Sequence, residues 1–202
     1  MLRALALNCT LKPSPAPSST ELLAGQFLDA LAAHGVEGEQ VRVVDYDVRP
    51  GVEADMGDGD QWPEIREKVM AADILVFATP TWMGHMSSVA QRVQERLDAH
   101  IAETDEEGRP VLAGKVAVAV VTGNEDGAHA VIADTYQGLV DLAFTIPASA
   151  GIYWNGEAMG KVDYRDLPET PESVASTLKT VARHTAHLAA LLKEHPYPGE
   201  EG

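Results

Sequence analysis

The sequence predicts a doubly wound α/β fold, in which helices cover both faces of a five-stranded parallel sheet. Short apolar runs rich in Val, Ile and Leu recur five times along the chain, and stretches with helical periodicity lie between them. The runs are almost continuously apolar, which is typical of strands that are buried on both faces. Right-handed crossovers between such strands give a three-layer sandwich. The predicted strands are 2–8, 41–46, 74–79, 115–122 and about 144–150.

The predicted helices carry apolar stripes with a period close to that of the α-helix. The last helix has the clearest end signals, because Thr170 can cap it, Pro171 suits its first position, and Pro196 and Pro198 end it. Another helix is expected to start near Trp62. The stripes are Leu22, Leu23, Phe27, Leu28 and Leu31; Val89, Val93 and Leu97; Val131, Tyr136, Leu139 and Val140; and Val174, Leu178, Val181, Leu188 and Leu191.

Length and charge restrict the function. With 202 residues, 45% of them hydrophobic, the chain fits one domain, predicted to span 1–202. Fifteen Lys and Arg against 31 Asp and Glu give a formal net charge of -16, which disfavours nucleic acid and anionic membranes as partners. The single cysteine, Cys9, cannot form an internal disulfide, and the amino terminus shows no signal-peptide pattern. We therefore expect a cytoplasmic protein.

Two features have a superficial likeness to metal sites. Residues 51–61 are acidic and Gly-rich, but Arg66 stands eleven residues after Asp55, where a calcium loop needs a bidentate acid. We therefore predict a solvated loop. His184 and His187 are three residues apart on the last predicted helix, but no third ligand is evident, so no metal site is predicted.

The first loop, residues 8–20, follows the first strand and reads "NCTLKPSPAPSST". It is rich in hydroxyls and runs directly into a helix. Ser18, Ser19 and Thr20 would present hydroxyls and helix-terminal N–H groups to an anion. The loop lacks the glycine spacing of the dinucleotide fingerprint and the Gly-Lys-Ser/Thr of a P-loop. It is either a phosphate cradle or a Pro/Ser-rich turn with a helix cap.

The second loop, residues 78–88, reads "ATPTWMGHMSS" and places large apolar side chains on what should be an exposed turn. Residues 81–85 could lay backbone amides along a flat aromatic ring, and Gly84 would permit close approach. The alternative is that Trp82 and Met86 pack into the core or into a subunit interface.

The third loop, residues 122–130, reads "TGNEDGAHA" and enters a helix through Gly123 and Gly127. By itself it could be an ordinary turn with a helix cap. However, ligands of open α/β sheets bind at the carboxyl ends of the strands, where all three loops begin. Together the loops supply a phosphate cradle, an aromatic wall and a polar rim, which is the outline of a flavin mononucleotide site.

These segments resemble the flavodoxin-like NAD(P)H-dependent FMN reductase family, including its quinone- and azo-reducing relatives. "LNCTLKPSPAPSSTELL" is similar to the family's first strand, Gly-Ser-Pro-Arg-type loop and helix start. "ATPTWMGHMSSVAQRVQER" is similar to its Pro-x-Tyr-Trp-Gly-x-Met-Ser segment, "TGNEDG" to its third flavin loop, and "IYWNGEAMG" to a Gly-rich stretch after strand five. The resemblance covers about residues 2–192 and implies the flavodoxin-like strand order 2-1-3-4-5.

The loops and the resemblance together assign an FMN site. The chain departs from the family pattern at Cys9, where Gly is usual, at Lys12, where Arg is commoner, and at residues 13–17, which lengthen the loop. The expected FMN-binding residues are Thr10, Lys12, Ser18, Ser19, Thr20, Pro80, Thr81, Trp82, Met83, Gly84, His85, Thr122, Gly123, Asn124, Glu125 and Gly127.

The resemblance implies an enzyme that transfers hydride from NADH or NADPH through FMN to a flavin, quinone or similar small acceptor, in a ping-pong cycle. His85 is the candidate catalytic residue, as a proton donor, with a structural role as the alternative. Tyr153 and Trp154 are expected to pack at a dimer interface or to complete the neighbour's flavin pocket. A homodimer or homotetramer is implied.

Three other functions are alternatives to the reductase. An electron-carrier flavodoxin would use its acidic surface to dock a basic partner, which fits the net charge of -16. A degenerate flavin fold could serve as an interaction module. A phospho-receiver is disfavoured, because Asn8, Cys9 and Thr10 stand where that class needs an acidic cluster.

Overall fold

The computed structural model describes residues 1–199 and places one sheet between two layers of helices. Five parallel strands lie in the order β2-β1-β3-β5-β6, and the short β4 pairs antiparallel with the end of β3. Among the parallel strands this is the flavodoxin-like order 2-1-3-4-5, which confirms the predicted fold class. The strands are β1 (Leu2–Asn8), β2 (Val36–Arg42), β3 (Ile74–Trp82), β4 (His85–Met86), β5 (Val116–Gly123) and β6 (Gly151–Asn155).

The two faces of the sheet build two separate cores, because successive side chains of a strand point to opposite faces. Ala4 and Ala6 pack with helices α1 and α5, whereas Leu5 and Leu7 pack with the helices of the other face. No helix within residues 1–199 is both long and apolar enough to cross a membrane. The helices are α1 (Ser19–Ala32), α2 (Trp62–Ala71), α3 (Ser88–Leu97), α4 (Ala128–Asp141) and α5 (Glu172–Glu194).

The domain prediction of 1–202 stays a prediction, and its last three residues, 200–202, lie outside the described residues.

The second strand is displaced from its predicted position at 41–46. It runs from Val36 to Arg42, paired with β1, and a 3₁₀ turn follows at Val43–Asp45. Its middle residues, "EGE", are exposed, because β2 is an edge strand with a neighbour on one side only. The apolar-run criterion therefore missed the polar half of the strand.

The fifth parallel strand also lies later than predicted. Residues 144–150 contribute only one isolated bridge, from Thr145 to Val116, and the strand itself is β6 (Gly151–Asn155). Pro147 has no N–H to donate to a ladder, and Ser149 adopts a positive φ of 63°, so this segment turns before the strand starts.

Helix α5 begins one residue later than the predicted cap implies. Pro171 is the N-cap residue, and the hydroxyl of Thr170 accepts a hydrogen bond from Gln26 Nε2 at 2.8 Å.

The apolar stripes predicted for the helices are largely buried. The members that stay exposed are Leu22, Val140 and Leu191.

The acidic segment 51–61, predicted to be solvated, is anchored by a buried ion pair. Asp60 Oδ2 lies 2.8 Å from Arg96 Nη2, and both side chains are inaccessible to solvent. Arg96 also donates to the carbonyl oxygens of Arg49 and Glu53 at 2.8–3.1 Å and lies over the Trp62 ring. A buried charge requires such partners, so the "solvated" interpretation is wrong for this part of the segment.

The Asp60 carboxylate is ionised in the folded protein. Burial alone would raise the pKa of Asp60, but hydrogen bonds from Arg96 and from the backbone N–H groups of Met56, Arg49 and Trp62 outweigh burial and hold this pKa well below its usual range.

Replacing Asp60 with Asn should destabilise the fold, because Arg96 would remain buried without its counter-charge. We expect the free energy of unfolding in urea at pH 7 to fall by about 3 kcal/mol or more. The exposed neighbour Asp58 provides the control, and Asp58→Asn should change stability by less than about 0.5 kcal/mol.

The effect of Asp60→Asn on the free energy of unfolding should depend on pH. Because folding lowers the pKa of Asp60, its stabilising contribution is complete above the unfolded-state pKa of about 4 and is lost as the pH falls below that value. The stability difference between wild type and Asp60→Asn should therefore shrink on acidification. A difference that is constant with pH would contradict this assignment.

Candidate functional site

A cleft opens where β1, β3, β5 and β6 end. The parallel register pairs Asn8 with Ala78 and Pro80 with Thr122, so the first three loops leave the sheet side by side. The predicted FMN-binding residues that line the cleft are Thr10, Lys12, Ser18, Ser19, Thr20, Pro80, Thr81, Trp82, Thr122, Gly123, Asn124 and Glu125.

The first loop is held from outside by two arginines. Arg42 Nη1 donates to the carbonyl oxygens of Lys12 at 3.2 Å and Ala16 at 2.7 Å, and Arg165 Nη1 donates to that of Pro17 at 2.6 Å. Arg42 is buried and also pairs with a carboxylate on α1. Because these carbonyl oxygens are engaged by cations, they repel an anion in the cleft less than free carbonyl oxygens would.

The first loop ends in a capped helix, which is compatible with both interpretations of its sequence. Ser18 is the N-cap residue of α1, and its Oγ accepts the N–H of Glu21 at 3.2 Å, which leaves its own O–H free to donate. The amides of Ser19 and Thr20 belong to the first turn, where N–H groups have no intrahelical acceptor. This helix end therefore presents donors to the cleft.

The second loop is a tight β-hairpin rather than an irregular connector. Strand β3 continues to Trp82, which pairs with His85 across a two-residue turn at Met83 (φ 52°) and Gly84 (φ 79°). Positive φ at both positions is what two-residue hairpins require to match the strand twist. Trp82 is 54% exposed, so its predicted alternative place in the core is wrong, whereas Met86 does pack against the core.

The third loop locks the second loop in place. Glu125 Oε1 accepts the N–H of Met83 at 2.6 Å. A Cβ added to Gly127, which has φ 137°, would lie 2.7 Å from Gly84 Cα, so the two backbones are in direct contact. The third loop also reaches the first, because the hydroxyls of Thr20 and Thr122 lie 2.8 Å apart.

One buried hydroxyl in the cleft has no partner. Thr81 is 4% exposed, and its Oγ1 makes no hydrogen bond within the described residues. An unsatisfied buried hydroxyl is unfavourable. A ligand with a polar atom in the cleft would satisfy it, so the donor set fits a bound mononucleotide.

Four of the predicted residues do not line the cleft: Met83, Gly84, His85 and Gly127. Met83 is 88% exposed at the tip of the hairpin. His85 is exposed in β4, and no structural observation links its imidazole to the cleft. A catalytic role for His85 therefore stays a prediction.

Residues in and after β6 also line the cleft, and the sequence prediction does not place them there. Trp154 of β6, expected to pack at a dimer interface or to complete the neighbour's flavin pocket, lines the cleft of its own chain, as do Asp163, Tyr164 and Arg165. The rule that loops meet at the carboxyl ends of parallel strands, applied to the fifth strand, could have found them. We call residues 156–167 the fourth loop.

Cys9 lies in the core and does not line the cleft. Burial in the core raises the pKa of the Cys9 thiol, which keeps it protonated and a poor nucleophile. Within residues 1–199, no group of three His, Cys, Asp or Glu side chains is placed to hold a metal.

Comparison with known proteins identifies the family. The family model described as NADPH-dependent FMN reductase matches residues 2–158. The chain belongs to this family. Membership and the flavodoxin-like fold support an FMN-dependent oxidoreductase, with FMN as cofactor and NADH or NADPH as electron donor, as predicted. Membership also suggests a small-molecule acceptor. The predicted homo-oligomer stays a prediction.

Two matches, one to a protein sequence and one to a crystal structure, cover most of this chain. The 8-demethyl-8-aminoriboflavin-5'-phosphate synthase of Streptomyces davaonensis is 33% identical, covering 97% of this chain and 80% of that protein. The crystal structure of RosB with the bound intermediate 8-demethyl-8-formylriboflavin-5'-phosphate has a TM-score of 0.88 and 33% identity, covering 98% of this chain and 82% of that one.

Two further matches are narrower in what they show. An apo NADH:FMN oxidoreductase structure, 20% identical with a TM-score of 0.64 over 97% of this chain and 92% of that one, shows the fold alone. The divalent metal cation transporter MntH of Mycobacterium bovis is 38% identical over 82% of this chain. The chain spans only 25% of that transporter's length.

Replacing Gly127 with Ala should disturb the contact between the second and third loops. The added Cβ would meet Gly84, and the φ of 137° is unfavourable for Ala. We expect the free energy of unfolding to fall by about 1–3 kcal/mol from the backbone conformation. Gly25→Ala is the control, since its Cβ meets nothing within 4 Å inside α1. Gly25→Ala should stabilise the protein by about 0.5–1 kcal/mol. Equal changes in the free energy of unfolding in urea for the two variants would contradict the contact between Gly127 and Gly84.

Proposed function

We propose that this family member takes hydride from NADH or NADPH and reduces a flavin, quinone or similar small acceptor by a ping-pong cycle, using FMN bound in the cleft. The observation that carries the proposal is the convergence of the three loops on one cleft that contains the unpartnered Thr81 hydroxyl. Bound FMN would supply the hydride chemistry, and the protein would supply binding and orientation.

The first loop is suited to the phosphate group of FMN. The Ser18 hydroxyl and the first-turn amides of Ser19 and Thr20 present donors at the positive end of the α1 dipole. Thr10 and Lys12 line the same region. In a chain with a net charge of -16, local donors of this kind are needed to offset repulsion of a phosphate.

The second and third loops are suited to the flat ring. Thr81 and Trp82 of the second loop and Gly123 and Asn124 of the third loop line the cleft. Glu125 is occupied by the Met83 amide and so acts as a strut for the hairpin. Because these contacts between the two loops form without a ligand, they lower the ordering cost that opposes binding.

A second candidate function is chemistry on the flavin itself. The similarity to RosB, whose structure contains an 8-modified riboflavin 5'-phosphate, is greater than that to the NADH:FMN oxidoreductase, with TM-scores of 0.88 and 0.64. In that case riboflavin 5'-phosphate would be a substrate in the cleft rather than a resident cofactor.

The first experiment is the visible absorbance spectrum of the purified protein, with FMN added if none is bound, followed by anaerobic addition of NADH and then NADPH. Loss of the flavin band with either nucleotide, at a rate above that of free FMN, supports the reductase and names the donor. A bound flavin that resists both nucleotides would favour the electron-carrier alternative.

A protein that takes up no FMN would contradict the proposal and favour an interaction module. Mass spectrometry of the extracted flavin after aerobic incubation tests the second candidate. A changed flavin mass would favour a flavin-modifying enzyme over a reductase.

Replacing Thr81 with Val should weaken FMN binding without destabilising the free protein, because the lost hydroxyl has no partner in the fold. We expect about a tenfold rise in the FMN Kd, the effect of one lost hydrogen bond. Thr185→Val is the matched control, since Thr185 is also buried with an unpartnered hydroxyl but does not line the cleft.

Thermal unfolding of the flavin-free variants and fluorescence titration with FMN provide the two measurements. Equal FMN affinities for Thr81→Val and Thr185→Val would show that the Thr81 hydroxyl does not contact the flavin.

A further inference from the structure

The cleft contains two cationic side chains, Lys12 and Arg165. Lys12 lies in the first loop and is exposed. Arg165 lies in the fourth loop, beyond residues 2–158 that match the family model. At position 12 this chain has Lys, where its family commonly has Arg. The guanidinium that lines the cleft comes instead from the fourth loop, at Arg165.

Arg165 is held in position by its neighbour. Tyr164 is buried in the core between α1 and α5, packs on the ring of Trp154 with 5.5 Å between centroids, and donates from its hydroxyl to Gln26 at 2.5 Å. The 3₁₀ turn Tyr164–Asp166 is thereby fixed to the helix layer. The backbone that carries the Arg165 side chain is therefore held in place by Tyr164.

The guanidinium of Arg165 faces the start of α1. Nη1 donates to Pro17 O at 2.6 Å, and the backbone N–H of Arg165 donates to Ser19 Oγ at 3.4 Å. Pro17 and Ser19 flank Ser18, the N-cap residue of α1. Arg165 therefore lies beside the helix-terminal donors that would contact a phosphate.

Two carboxylates share the guanidinium. Nη2 lies 3.1 Å from Asp163 Oδ2, and Nε lies 3.6 Å from Asp166 Oδ1. Both acids are well exposed, which weakens their attraction through solvent screening, whereas the Arg165 side chain is only 27% exposed. A guanidinium has five N–H donors, and the contacts to Pro17, Asp163 and Asp166 engage at most three of them. Donors remain for a phosphate.

We propose that Arg165 makes the cleft selective for the phosphorylated flavin: its guanidinium binds the 5'-phosphate of FMN, so that FMN binds more tightly than riboflavin. This inference rests on the proposed function only in that a flavin occupies the cleft. The planar fork of arginine matches phosphate oxygens better than the point charge of Lys12 does.

The test is a pair of fluorescence titrations, with FMN and with riboflavin, on the full-length protein freed of flavin. Arg165→Ala should raise the FMN Kd by about 10- to 100-fold, the effect of losing a charge-assisted contact, and should leave the riboflavin Kd within about twofold. Arg165→Lys keeps the positive charge but loses the planar guanidinium, so its FMN Kd should lie between those of wild type and Arg165→Ala.

Arg183→Ala is the matched control. Arg183 is exposed on α5, does not line the cleft, and makes no ion pair within the described residues, so its loss changes the net charge equally. Its affinities for both flavins should match wild type. Thermal unfolding of each variant checks the fold.

Each outcome separates this inference from the proposed function. If Arg165→Ala lost FMN and riboflavin affinity equally, Arg165 would only hold the first loop through Pro17. If its affinity for both flavins were unchanged, the phosphate would bind elsewhere. Either result overturns the inference. Wild-type protein that binds riboflavin as tightly as FMN would also overturn it, while leaving flavin binding intact. Wild type that binds neither would contradict the proposed function itself.

Discussion

Parallel pairing of β1, β3, β5 and β6 is the constraint on which the rest of the site depends. Parallel strands place all their carboxyl ends at one edge, and the register pairs Gly123 with Asn155 as well as Pro80 with Thr122. Four loops therefore leave the sheet side by side and can bond to one another. The pair of hydroxyls from Thr20 and Thr122 is one result of this arrangement.

The conformation of the first loop is determined largely by residues outside it. Known phosphate loops use glycines to bring backbone amides to a ligand, and this loop has none. Instead, Arg42 on β2 and Arg165 in the fourth loop bind its carbonyl oxygens, and Asp45 accepts two hydrogen bonds from Ser14. The Ser14 hydrogen bonds hold the pKa of Asp45 below its usual range, so this contact keeps its charge at neutral pH.

The sequence was sufficient for the fold and for the loops whose signals are local. Apolar runs located β1, β3 and β5 because central strands are buried on both faces, but they misplaced the edge strand β2, whose middle is polar. Hydroxyls before a helix and apolar residues in a turn located the first and second loops. Arg165 and the Asp60–Arg96 pair were missed, because their partners are distant in sequence and nothing local distinguishes them from solvated charges.

The hairpin at Met83 shows why the cleft is better explained by a ligand than by folding. Met83 adopts a positive φ, which is unfavourable for a non-glycine residue, and its neighbour Trp82, which lines the cleft, is 54% exposed. Glu125 and Gly127 nevertheless support this hairpin through a hydrogen bond and a backbone contact. Rigid support for an unfavourable surface is expected where that surface meets something else. The adjoining Thr81 lines the cleft, and its buried hydroxyl has no partner within the described residues, so a ligand that reaches it would satisfy a group that folding leaves unsatisfied.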